Sequence, residues 1–208
     1  MRRIKLRGLP PNRWATALLP CCLILFASGS YARVGGEYTK AELATLPKWC
    51  HSTQSFTQES QTRRTYDDYV ARYGQGWTHL HHYCWALVAM MRYDRINNTA
   101  QDRRGYAASA LADMRYVLDR TQPDFVLWFE IVSKRTRLLI RERIFDQALE
   151  SANSALAAFP NRADSHGLKA EVLLETGRRG EAKKVLDDAK TVVADSDRLE
   201  KIRLVLKL

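Results

Sequence analysis

The chain has 208 residues, long enough for one domain with a real core, and its composition, 46% hydrophobic and 27% charged, is globular. With six Pro and ten Gly it is neither loop-rich nor disordered. The formal charge of +10 points towards nucleic acid, but half of the excess lies in the first 32 residues, where Arg2, Arg3, Lys5, Arg7 and Arg13 stand without an acid. The remaining bases are interleaved with acids, as in Arg141-Glu142-Arg143, and read as solvated helix faces, so no nucleic-acid partner is expected.

Residues 1–32 have three zones: a basic start to Arg13, an apolar run from Trp14 to Ala27, and a small, polar end with Ser30 and Ala32. That order is the pattern of a secretory signal peptide, cleaved after Ala32. The apolar run is short of the roughly 20 residues of a spanning helix, and Pro20 interrupts it, so retention as a signal anchor in the inner membrane is the alternative. Export makes the product periplasmic or secreted, with membrane contact only if the segment is retained. Cys21 and Cys22 would leave with the leader, and Cys50 and Cys84 would remain. Two cysteines in an oxidising compartment read most simply as one disulfide, with two unrelated thiols or a metal site as the other readings.

Residues 33–76 form an N-terminal extension with short helices and loop. Arg33 to Tyr38 is a Gly-containing lead-in. Thr39-Lys40-Ala41-Glu42 fits a capping box opening a short helix that stops before Pro47. His51 to Thr65 is polar and reads as a loop, and Tyr66 to Tyr73 as one or two helical turns ended by Gly74 and Gly76. Residues 77–208 form a helical repeat domain. Apolar residues recur at helical spacing with no strand pattern, and predict helices over 77–95, 103–120, 124–141, 144–158, 163–176, 179–193 and 197–207.

Two segments of 34 residues superimpose, Phe129 to Arg162 and Ala163 to Ser196. Ala148, Ala152, Ala155 and Pro160 in the first match Ala182, Leu186, Ala189 and Ala194 in the second. The stretch Ala170 to Ala189 resembles a tetratricopeptide repeat (TPR). Ala170 occupies the small-residue position of helix A, Gly177 makes the turn, Ala182 and Ala189 admit helix B, and Leu186 fills the space between the helices. The preceding unit resembles the family through Ala148, Ala155 and Pro160, but departs at Thr136, where Gly or Ala is usual, and at Arg143, where Gly is common. Trp77 to Pro123 resembles a third, degenerate unit with an insertion around Asn97 to Arg104. The resemblance implies an all-α fold: a short right-handed solenoid of about three helix pairs with a C-terminal capping helix. It also implies that the chain holds a protein partner on a concave surface of A helices. In the family register Glu130, Ser133, Arg137, Asp164 and Glu171 face that surface.

The segment Trp77 to Trp85 carries His79, His81, His82 and Cys84. His79 and His82 share a helix face and could give two metal ligands, with Cys50 and His51 as further candidates, whereas zinc wants four, or three with water. The simpler reading is a core stripe of Trp77, Leu80, Cys84 and Leu87 bordered by histidines. Hydrolase, phosphate-loop and dinucleotide signatures are absent, so neither an enzyme nor a cofactor is expected. The leading expectation is a non-catalytic protein-binding scaffold or adaptor for an envelope assembly. A metal- or redox-linked accessory protein using the His79/His82/Cys84 segment is the alternative.

Overall fold

A computed structural model describes residues 38–53 and 63–208, so residues 1–37, the expected leader among them, and residues 54–62 of the polar loop lie outside the described residues. Within them every regular element is helical: α1 (Lys40–Thr45), α2 (Arg63–Tyr73), α3 (Leu80–Tyr93), α4 (Ala100–Leu118), α5 (Trp128–Arg141), α6 (Phe145–Ala158), α7 (Ala163–Glu175), α8 (Arg179–Ala189) and α9 (Ser196–Leu206). Two 3-10 turns, Lys48–Ser52 and Gln75–His79, lead into α2 and α3 from the N-terminal side. The pairs α3–α4, α5–α6 and α7–α8 pack as antiparallel hairpins, and each hairpin packs on the next. The molecule is therefore an all-α helical-repeat solenoid of three pairs closed by α9.

Small residues set the spacing within the hairpins. Ala148, Ala152 and Ala155 of α6, and Ala182, Leu186 and Ala189 of α8, have no exposed surface. Their recurrence every three to four residues lays one smooth strip along each B helix, and the A helix rests on it. Thr136, at the position taken by Ala170 in the next repeat, is equally buried; its hydroxyl oxygen lies 2.8 Å from the Val132 carbonyl oxygen and 2.9 Å from Ser151 Oγ. The extra hydroxyl is thus satisfied by a serine that α6 supplies.

The A helices α5 and α7 end alike. Ile144 N–H donates to the Leu139 carbonyl and Arg143 N–H to that of Ile140; Arg178 and Gly177 do the same to Leu173 and Leu174. This Schellman closure needs a left-handed residue after the helix. Gly177 adopts it at φ 75°, and Arg143 adopts it at φ 60° without glycine's freedom.

The first hairpin differs from the expectation in two ways. Its opening turn is 3-10, so α3 begins at Leu80 rather than at Trp77. Helix α4 begins at Ala100, inside the supposed insertion, because Thr99 caps the Asp102 N–H and Asp102 returns the bond to Thr99 N–H. Helix α2 is also longer than one or two turns, and Gly74, at φ 79°, ends it.

The extension lies against α3. The capping box at the start of α1 is formed: Glu42 N–H donates to Thr39 Oγ1 at 3.1 Å and Thr39 N–H to Glu42 Oε2 at 2.9 Å. Cys50, in the first 3-10 turn, is disulfide-bonded to Cys84 of α3, and both are fully buried. Beside the bridge Trp49 stacks on Tyr83 at 5.9 Å, and Trp77 stacks on Tyr69 at 4.4 Å and on Tyr73 at 5.2 Å. The apolar face of the first repeat is thereby covered.

Candidate functional site

The five residues expected on the concave surface divide. Arg137 of α5 donates from Nε to Glu171 of α7 at 3.1 Å, so neighbouring A helices are tied across their shared face. Asp164 accepts from Arg198 of α9 at 2.6 Å and 3.0 Å. These three residues line one groove of about 150 Å³. Glu130 turns instead towards α3, where it accepts the Tyr83 hydroxyl at 2.7 Å. Burial, then the Glu130 carboxylate, push that phenol far above its ordinary range. Ser133 is buried, only 8% exposed, and presents little to a partner.

Helix α9 supplies the rest of the groove. By repeat spacing it stands where another A helix would begin, yet it packs more on α7 than on α8, the helix just before it, whereas α7 packs more on α6, the helix just before it, than on α5. The cause is local. Position 133 carries a side chain in the preceding repeat, whereas its counterpart is Gly167. A Cβ there would lie 3.0 Å from Ile202 Cγ2, tighter than ordinary contact, so the glycine lets Ile202 and α9 sit this close without adjustment. Arg203 of the same helix donates to Asp187 of α8 at 2.7 Å. Arg198, Lys201, Ile202 and Val205 therefore join Arg137, Asp164 and Glu171 around the groove. Sequence reading treated 197–207 as a cap alone, although the alternation of bases with Leu199, Ile202 and Val205 marked a helix with two different faces. Leu204 and Val205 remain 70% and 79% exposed at the end of the stack.

The histidine segment is packed as a border, not as a ligand set. His82 Nδ1 lies 2.7 Å from Asp113 Oδ1, and its ring stacks on Tyr116 at 3.8 Å. His79 meets the edge of Tyr116 and His81 the edge of Trp85. Burial, with His82 beside it, lowers His81 to about 4. Cys84 faces the other way, into the disulfide. Among the described residues no group of three His, Cys, Asp or Glu side chains is placed to hold a metal ion.

Residues 139–203 match a family model for the tetratricopeptide repeat. Over that stretch the chain is of the tetratricopeptide-repeat type. The matched stretch begins in α5 and ends in α9, so it takes in most of the groove's lining, with residues such as Arg137 and Val205 just outside it, while α3 and α4 lie before it. Among curated proteins and solved structures none matches the chain. TPR arrays work as protein-interaction scaffolds, and the groove offers charge and apolar surface together.

Proposed function

We propose that this protein is a non-catalytic TPR adaptor of the bacterial type of cell envelope, periplasmic or secreted, which docks a protein partner in the groove between α5, α7 and α9. The observation that carries the reading is that groove, where charges of both signs flank Leu168, Ile202 and Val205. Such a surface fits a peptide segment with an apolar anchor and mixed charge. Export is supported by the basic, apolar and small zones of residues 1–32 and by a fully buried disulfide, which suits an oxidising compartment.

Affinity capture from an envelope extract tests the docking. The tagged protein should retain a defined partner, and Lys201→Glu with Arg137→Glu should lose it while the circular dichroism of the fold is kept. Retention by the double variant would sink the groove as the docking site. Mass measurement of the exported product tests the compartment: Arg33 should be the first residue, and intact Met1 in a membrane fraction would favour the anchored form.

A further inference from the structure

A second cleft, of about 480 Å³, opens between α4, α5 and α6 and shares no lining residue with the A-helix groove. One face of α5 gives it Trp128, Val132 and Arg135, and the same stripe continues to Leu139 beyond the cleft; at this helical spacing all but Arg135 are buried apolar residues. A guanidinium thus stands in an apolar stripe. Its Nε is buried and has no hydrogen-bond partner, and no ion pair joins it to an acid among the described residues. Burial, then the neighbouring Arg115, lower its pKa from the ordinary range, and it stays charged at physiological pH.

The acids nearby do not neutralise it. Asp119 lies 3.4 Å from Arg115 on its own helix. Glu150 lines the cleft and attracts Arg135, but forms no ion pair with it. Across the cleft α6 contributes the short side chains Ser151 and Ser154, which leave room in front of α5. A half-buried charge without a partner is costly, and the cleft gives a ligand access to supply that partner.

We propose that this cleft binds a small monocarboxylate, with the carboxylate held by Arg135 and the apolar body against Trp128, Val132 and Leu118. A carboxylate is planar and offers two acceptors, which match the guanidinium fork. Asp119 and Glu150 disfavour a dianion such as phosphate more than a monoanion, because repulsion scales with ligand charge. The volume suits a compact ligand, within the roughly 300–1,000 Å³ of small-molecule sites.

The test is titration of the purified full chain with butyrate, benzoate and inorganic phosphate. Calorimetry is read beside the Trp128 indole and Arg135 Nε–H resonances. At least one carboxylate should bind and shift both resonances, with phosphate weaker. Arg135→Met restores the apolar stripe, so it should fold at least as stably as wild type and weaken carboxylate binding by about tenfold or more, as for a lost charge-assisted hydrogen bond. Arg135→Lys keeps the charge without the fork and should also bind more weakly; it serves if the Met variant misfolds. Binding of neither carboxylate, binding undiminished in the folded variants, or phosphate binding as tight as carboxylate binding would each overturn the assignment.

Discussion

Glu42 ties the N-terminal extension to the repeats. It accepts from Arg92 Nε at 2.6 Å, Arg92 Nη2 at 2.9 Å and Arg95 at 2.5 Å, and caps α1 through Thr39. The Arg92 hydrogen bond is the first cause that holds its carboxyl at about 2 against an ordinary 4.5. The folded pKa is depressed, so the contribution to stability is complete above pH 4.5 and is lost as pH falls towards 2. Glu42→Gln should therefore cost about 3–5 kcal/mol at neutral pH, the range for removing one partner of a buried ion pair. Urea unfolding at pH 7 and at low pH checks this: the deficit should shrink on acidification, and an equal deficit at both would contradict it. The capping half of this arrangement was legible in the sequence because Thr39 and Glu42 are three residues apart. The arginines were not, because they come from fifty residues away. Arg143 gives a second residue-scale prediction. It holds a left-handed φ that its counterpart Gly177 adopts freely, so Arg143→Gly should raise stability by about 1 kcal/mol, read as an upward shift of the melting midpoint.

At the scale of elements, the B helices depend on side chains too small to have substitutes. Ala182 has no exposed surface and lies where α8 meets α7. Ala182→Glu should overpack that contact and bury an unpaired charge, abolishing cooperative melting of the last hairpin. A loss below about 1 kcal/mol would mean that α8 faces α7 differently. These helices were readable because Ala148, Ala152 and Ala155 repeat as Ala182, Leu186 and Ala189. The start of α4 was misread because Asn97, Asn98 and Thr99 look like a connection, while Thr99 is in fact a cap. Helix α9 was legible as a C-terminal cap, but its share in the groove was not. Gly167 lets Ile202 approach closely, and its meaning appears only when Ile202 is beside it. The same limit applies to the candidate site: Arg137, Asp164 and Glu171 followed from repeat register, while Glu130 was claimed by Tyr83 from another hairpin.

For the whole molecule, the ends of a solenoid are its exposed cores, and this one closes them by different means. At the C-terminal end α9 covers α7. At the N-terminal end a covalent bridge holds the Trp49 turn over α3. The bridge spans 34 residues of chain, so Cys50→Ser or reduction should cost about 2–5 kcal/mol. Denaturant unfolding with and without reductant checks that figure, and thiol titration of oxidised, unfolded protein should find Cys50 and Cys84 both blocked. The metal-linked alternative weakens on the same observation, since Cys84 is engaged in the bridge. The central claim is that the face formed by α5, α7 and α9 holds the partner. Photo-crosslinking in intact cells tests it most directly, with the reactive group placed at Lys201 in the groove and, separately, at exposed Lys183 on α8. The account predicts a discrete covalent adduct with another protein from position 201 and none from position 183. Adducts from 183 alone, or equal adducts from both, would contradict it.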